Sequence, residues 1–434
     1  LSAPTDQAPS PQRRVFRQPR VERASCAERF FATCPRGLEA LLAEDIVAVG
    51  GKEAVITPGG VGFAGGWDVC YRVNLESRIA TRVLWRVGGG DFRDENGLYT
   101  LAKEIAWPSL FKVERSIRVY VTAVRAPFKS LEFVTLKVKD AVCDRFRADC
   151  GKRPDVNTAA PDMRIHLFVT DNASGAARRP LAGAPRRVEN GSNGSASFSA
   201  TFYLDTSGEP LWLRGQKIAK VAAPLKENLA AGLLRLAGWT PDQPLLDPMC
   251  GSGTILLEAA GMALGDAPGL ARDMKDFGFT RIANYQPALW RRLCMEAADR
   301  RVAAPARLPI WGSDRDDDAV ARAAQNLAHA GLDDLIDLRR GDILEISPPA
   351  AAGVLVTNPP YGERLSENSE LAAFYPLLGS ALKQRFAGWQ CWFLSADANL
   401  PKGVGLKPAR KIPLYNGNLE CRFYDFPMVS GQHR

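Results

Sequence analysis

The sequence predicts two successive α/β parts: an α+β front half, followed by a doubly wound parallel α/β half. Three observations carry this. Its 434 residues exceed a single core, since domains usually run to ~100–200 residues. Up to about residue 215, strand-like and helix-like stretches follow each other in mixed order, whereas beyond residue 224 short apolar strands alternate regularly with helices. The charge is also split: residues 1–236 carry a net +10 and residues 237–434 a net −2. A basic front half suits a polyanion, although ordinary surface cations give the same count.

In chain order, residues 1–25 are rich in Pro, Gln, Ser and Arg and read as a disordered basic tail. The first residue is Leu, so the natural start is expected upstream. Phe30 and Phe31 mark a strand. Leu38, Leu41, Leu42, Ile46 and Val49 then share one helix face, which Gly50-Gly51 ends. Val55–Ile56 and Val61–Phe63 flank Pro58-Gly59-Gly60 as a hairpin. Helices are expected from Asp68 to Leu84 and from Leu98 to Trp107, then a strand through Ile117, Val119 and Val121. A basic helix over Leu131–Ala148 carries Lys137, Lys139, Arg145 and Arg147. Strands fit Arg164–Thr170, Ser197–Leu204 and Leu211–Arg214, and the Gly/Ala/Asn/Ser-rich Ala173–Ser195 reads as a flexible loop. The second half opens with a helix over Pro224–Ala237, with Pro in its first turn and Gly238 at its stop. Strands follow at Pro244–Leu246, Pro309–Trp311, Ile336–Leu338, Val354–Val356 and Cys391–Leu394.

Composition excludes several classes. Apolar residues are 46% and charged residues 24%, a globular balance. No apolar run approaches the ~18–20 residues of a membrane span, and the N-terminal segment has no apolar stretch of a secretion signal. The nine cysteines are odd in number and none has C-x-x-C spacing, so a reducing, cytoplasmic compartment is expected and no metal site. With only His166, His329 and His433, hydrolysis by a Ser-His-Asp triad is poorly supported.

The strongest motif is Asp247-Pro248-Met249-Cys250-Gly251-Ser252-Gly253-Thr254, a strand end and small-residue turn opening a helix. Ligands of doubly wound sheets bind beyond the carboxyl ends of the strands, and glycines admit a ligand close to the backbone. The segment lacks Gly-Lys-Ser/Thr, and Asp247 would repel a phosphate. A cationic or zwitterionic ligand fits instead, and S-adenosyl-L-methionine has an ammonium and no phosphates. A plain strand–helix turn is the competing reading. The second motif, Asn358-Pro359-Pro360-Tyr361, lies 111 residues beyond Asp247, three strand–helix steps on. Its prolines stiffen the backbone. The Asn358 side-chain oxygen and the Pro359 carbonyl can then accept from a planar exocyclic amine, while Tyr361 offers a face for a base.

Together with Tyr361-Gly362-Glu363-Arg364-Leu365, these motifs resemble the THUMP-containing RNA guanine-N2 methyltransferases of the bacterial large-subunit (23S) ribosomal RNA, RlmL type. The likeness spans almost everything after the tail. It includes Pro35-Arg36-Gly37-Leu38-Glu39, Gly59-Gly60-Val61, Lys137-Val138-Lys139-Asp140-Ala141, Leu204-Asp205-Thr206-Ser207-Gly208, Ala223-Pro224-Leu225-Lys226-Glu227, and Gly388-Trp389. It implies a class I (Rossmann-like) methyltransferase domain over 216–434. Before it would come a ferredoxin-like part over 26–68 and an RNA-gripping THUMP domain over 69–215. It also implies S-adenosyl-L-methionine as cofactor and RNA as partner, with no membrane, metal or obligate protein partner. The family's best-known version carries a second methyltransferase domain; this chain ends at Arg434 without one, so one activity is expected.

Two more acids then fall into place. Asp314 ends the strand Ile310–Asp314 and suits the cofactor's ribose, with Asp316 as competitor; Asp342, followed by Ile343, suits the adenine amine. The full expected cofactor set is Asp247, Met249, Cys250, Gly251, Ser252, Gly253, Thr254, Asp314, Asp342, Ile343 and Asn358. The catalytic set is Asn358, Pro359, Pro360 and Tyr361. Gly60–Gly65 matches G-x-G-x-x-G but sits in a hairpin, not at a strand–helix junction. Cys250 reads as a packed residue rather than a nucleophile. Trp67, Trp85, Trp107 and Trp212 could stack on bases, but most of them read as core.

Overall fold

The computed structural model describes residues 27–126, 128, 130–171, 198–218, 225–359 and 368–429, the side chains of 368–372 excepted. The basic tail, the Ala173–Ser195 loop, Pro224, Pro360, Tyr361 and His433 lie outside the described residues.

The front half is built on one seven-stranded sheet. It contains β1 (Glu28–Thr33), β2 (Lys52–Thr57), β3 (Gly60–Gly65), β4 (Arg82–Phe92), β5 (Ile117–Val124), β6 (Met163–Asp171) and β7 (Phe198–Asp205). Their order is β2-β3-β1-β4-β7-β6-β5. The long β4 joins two substructures: Arg82–Trp85 pair with β1, and Leu84–Phe92 pair with β7. The helix expected over Asp68–Leu84 is α2 (Trp67–Glu76) only. Beyond it the chain turns, and Val83, Leu84 and Trp85 are spent on β4. Val83, Leu84 and Trp85 are buried in succession, and a short apolar run of this kind suits a helix or a strand by period alone. The boundary placed after Asp68 therefore falls inside α2. The segment Leu211–Arg214, expected as a strand, is a turn.

Helix α1 (Glu39–Ala48) matches the expected helix, and α3 (Glu95–Glu104) and α4 (Trp107–Leu110) divide the one expected around Leu98–Trp107. In α5 (Leu131–Cys150), the Ser130 side chain caps the first turn and Gly151, at φ +71°, ends the last. The Gly60–Gly65 glycines lie inside β3, paired on both sides, where no dinucleotide could approach. Trp67, Trp85 and Trp107 are buried, whereas Trp212 is only half-buried.

The second half has α6 (Glu227–Leu236), β8 (Leu245–Asp247), α7 (Thr254–Ala263), α8 (Pro287–Asp299), β9 (Ile310–Asp314), α9 (Asp317–His329) and β10 (Asp337–Arg340). There follow β11 (Gly353–Thr357), α10 (Asn368–Arg385), β12 (Trp389–Ser395), α11 (Leu400–Val404), β13 (Arg410–Asn416) and β14 (Leu419–Pro427). The sheet order is β10-β9-β8-β11-β12-β14-β13. The first five strands are parallel, as expected, but β14 is antiparallel to its neighbours. The terminal hairpin β13–β14 is not among the expected strands: β13 contains Pro413, and Glu420, Arg422 and Asp425 interrupt the apolar residues of β14.

Candidate active site

The strand order reverses between β8 and β11, and such a switch point opens a crevice at the carboxyl ends of the strands. Four neighbouring strand ends deliver the expected residues there. Asp342 follows β10, Asp314 ends β9, Asp247 ends β8, and Asn358 follows β11. Hydrogen bonds tie each to the next. Gly341 N–H donates to the Asp314 carbonyl (3.0 Å), Cys250 N–H to the Ser313 carbonyl (2.9 Å), and Thr357 Oγ1 to Asp247 Oδ1 (2.7 Å).

Asp247 is almost wholly buried. Burial pushes its carboxyl up to about 7, with Asp314 adding to the push and the donors Thr357 and Met249 N–H opposing it. Gly251 has φ +55°, and a Cβ there would meet nothing within 4 Å, so the turn presents bare backbone to open space. Its N–H donates to Asp314 Oδ2 (3.0 Å), while Asp314 Oδ1 accepts from Asp316 N–H (3.1 Å). Asp316, by contrast, is exposed, caps α9 through Asp318 N–H and faces Arg322. Asp342 Oδ1 accepts from Leu344 N–H (2.9 Å) at a turn.

Other expected residues serve the site from behind. A Cβ on Gly253 (φ +77°) would lie 3.3 Å from Ala323 Cβ, so its small size serves the turn and the approach of α9. Ile343 is buried and Met249 partly buried in one apolar cluster with Leu246 and Leu355. Cys250 is buried, and burial holds its thiol well above the ordinary range, so it offers no thiolate. Ser252 and Thr254 are buried beside each other.

Sequence reasoning missed three supporting residues. Thr357 links the two motifs through Asp247. Lys217 reaches Thr254 Oγ1 (3.2 Å) and Glu227 (3.0 Å), tying the first turn of α6 to the start of α7. Asn326 of α9 accepts from Ile218 N–H (3.0 Å) and donates to the Ser252 carbonyl (3.0 Å). Only Thr357 had a sequence signal, its place beside Asn358.

Asn358 Oδ1 is buried and, among the described residues, has no hydrogen-bond partner. Buried acceptors are nearly always satisfied, so an orphan at a strand end beside an open backbone cradle marks where a ligand's donor belongs. An acidic group, a bare glycine turn and orphan acceptors fit a zwitterionic cofactor and a planar amine. Among the described residues no group of three or more His, Cys, Asp and Glu could hold a metal ion, and no helix is long and apolar enough to cross a membrane.

Fold and site define a class I methyltransferase, and comparison with known proteins refines this. Residues 214–425 match the RMKL-like methyltransferase domain, 29–84 the RlmL ferredoxin-like domain and 92–175 the THUMP domain. The Synechocystis sp. protein named "Putative RNA methyltransferase slr0064" is 33% identical over 92% of this chain and 96% of its own length. The "Ribosomal RNA large subunit methyltransferase K/L" of Syntrophotalea carbinolica is 37% identical over 92% of this chain but 54% of its own length. The chain spans about half the length of such K/L relatives. Among solved structures, a "putative methyltransferase complexed with SAH" is 26% identical, with TM-score 0.77 over 94% of this chain and 99% of its own. A "predicted N6-adenine-specific DNA methylase" from Listeria monocytogenes is 27% identical, with TM-score 0.76 over 93% and 96%. The chain belongs to the THUMP-containing RNA methyltransferase family with an RMKL-like catalytic domain.

Proposed function

We propose that the protein methylates the exocyclic N2 of a guanine in structured RNA, with large-subunit (23S) ribosomal RNA as substrate. The observation that carries this is the buried, unpartnered Asn358 Oδ1 at the end of β11, one strand from Asp247. When bound, S-adenosyl-L-methionine supplies an electrophilic methyl group. Asp247, the Met249–Thr254 turn, Asp314, Asp342 and Ile343 would hold it, with Asp314 rather than Asp316 on the ribose, because Asp316 is committed to capping α9.

The lone pair of a guanine N2 is delocalised into the ring and is a poor nucleophile. Asn358 Oδ1 and the Pro359 carbonyl would accept its two hydrogens and favour a tetrahedral nitrogen facing the methyl. Pro360 would stiffen the segment and Tyr361 would stack on the base. The base must leave its stack to reach such a site. The basic front half and its THUMP domain support structured RNA as the macromolecule, gripped through shape and phosphates. The name of the K/L relatives supports ribosomal RNA, and transfer RNA is the neighbouring alternative. In this reading the enzyme works in the cytoplasm without an obligate protein partner.

The Listeria relative's name favours a second reading, adenine N6 in DNA. Nucleoside mass spectrometry decides between them. RNA from cells lacking this protein should lose N2-methylguanosine from 23S rRNA. Loss of N6-methyladenine from DNA, with RNA unchanged, would overturn the proposal.

A further inference from the structure

Three sequence motifs that the methyl-transfer site does not use meet at one place. They are Pro35-Arg36-Gly37-Leu38-Glu39, Gly59-Gly60, and Leu225-Lys226-Glu227 at the start of α6. With the β13–β14 turn they enclose a cleft of about 530 Å³, a size that takes a small-molecule or nucleotide unit. Its lining includes Arg36, Gly59, Lys226, Asn228, Tyr415 and Asn418.

The cleft opens on the same edge of the catalytic sheet as Asn358. β14 pairs antiparallel with β12, Arg422 opposite Ser395, so the turn before β14 projects past the carboxyl end of β12. The first turn of α6 lies at the same edge, because Lys217 joins Leu225 and Glu227 to Thr254.

The wall from the front half is firmly built. Glu39 accepts from Gly37 N–H and from Gly59 N–H, each at 2.8 Å, so its charge is spent on fixing two loops. Gly37, at φ +95°, packs so closely that a Cβ would sit 2.6 Å from the Pro413 carbonyl and 2.7 Å from the Leu414 side chain. The front half thus rests directly on β13.

The lining has the chemistry of a single nucleotide's surroundings. Arg36 lies over the Tyr415 ring at 5.6 Å, and Lys226 over Trp212 at 5.3 Å. Among the described residues neither cation has a carboxylate within 4.0 Å. The cations of α5 differ: Lys139, Arg145 and Arg147 all have carboxylate partners, and Lys137 bonds Asn96. Asn228 is fully buried. Its amide nitrogen serves Thr81 Oγ1 (2.9 Å) and the Ile79 carbonyl, and among the described residues its oxygen has no partner. Two unpaired cations, an aromatic face and an orphan acceptor match a phosphate, a base and a sugar or base donor in turn.

We propose that this cleft between the ferredoxin-like domain and the catalytic domain holds an unpaired RNA nucleotide that flanks the target guanine. Its phosphate would lie at Arg36 and Lys226, and its base against Tyr415. The site would thereby set which RNA strand presents its base to Asn358. The inference rests on the RNA-methylation reading above.

The test uses the full chain and 23S rRNA transcribed in vitro, with binding measured across a range of salt and methylation by transfer of labelled methyl. Arg36→Ala/Lys226→Ala should flatten the salt dependence by about 1.4 in logarithmic slope. Tyr415→Ala should weaken RNA binding roughly 5- to 150-fold with little change in slope. S-adenosylmethionine affinity and thermal midpoint should stay as in the wild type for both. Arg291→Ala/Arg292→Ala removes equal charge from the exposed face of α8 and should change RNA binding less. If both cleft variants bind and methylate as the wild type does, or no better or worse than the α8 control, the cleft is not an RNA site although the enzyme is. If the wild type itself neither binds nor methylates RNA, the functional reading fails, and this one with it.

Discussion

At the scale of single residues, the proposed mechanism gives Asn358 and Asp247 separate roles, substrate amine and cofactor ammonium. Among the described residues Asn358 Oδ1 has no partner and Asn358 makes no hydrogen bond to the Met249–Thr254 turn, so Asn358→Ala should lower single-turnover methylation about 10²- to 10³-fold while leaving cofactor affinity nearly intact. Calorimetry paired with labelled-methyl transfer checks this, and near-wild-type turnover would defeat the mechanism. Asp247 makes a pH signature. Its carboxyl is raised by burial from 3.8 to about 7, so between those values the folded protein holds a proton that the unfolded chain has lost. The stability this group contributes is full below about 3.8 and is lost as pH rises through about 7. An ammonium beside Asp247 favours the ionised form. Cofactor affinity should therefore climb as pH rises through about 7, with proton release on binding below that pH. Calorimetry in buffers of different ionisation enthalpy reads the proton count; Asp247→Asn should abolish it.

At the scale of elements, one buried carboxylate ties the two halves together at the start of the catalytic half. Glu258 of α7 is fully buried and Oε2 accepts from Arg78 (2.9 Å) and Arg214 (2.7 Å), while Arg214 also donates to the Arg78 carbonyl. Burial pulls the Arg214 guanidinium down to about 10, against the attraction of Glu258. Removing the carboxylate strands two cations in low dielectric, so Glu258→Ala should cost about 3–5 kcal/mol. Arg147→Ala, which breaks only an exposed pair on α5, should cost about 1 kcal/mol or less. Denaturant unfolding of both variants makes the comparison; equal effects would mean that the triad does not hold the junction.

At the scale of the whole molecule, the two halves are one body with unlike charge. Tyr71 of α2 packs among Phe279, Tyr285 and Trp290, and Arg72 pairs with Glu296 across the same junction. Arg235 of α6 reaches back to Glu44 and Asp45 of α1. An isolated catalytic half would expose this interface, so charge is better tested in the full chain. The front half carries the net +10. Replacing Arg178, Arg179, Arg186 and Arg187 by Ala should reduce the logarithmic salt slope of RNA binding by as much as about 3, if all four neutralise phosphates. An unchanged slope in filter-binding titrations would remove that segment from the RNA-gripping surface.

The two candidate motifs stand out in the sequence because the features that define them are local. A strand ending in acid, glycine and serine, and a strand ending in Asn-Pro-Pro, each specify backbone and donors within a few residues. The parallel half was legible for a related reason, since strands buried on both faces read as short apolar runs. What neighbours do across the fold was not legible. Thr357 binding Asp247, Lys217 reaching Thr254, β4 shared by two substructures and the antiparallel β14 all depend on pairings over tens to hundreds of residues. The same holds for the basic helix α5, whose cations are matched by nearby partners, and for Arg36 and Lys226, which are not. Composition counts charges, but only packing decides which of them are neutralised, and so which remain for a polyanion.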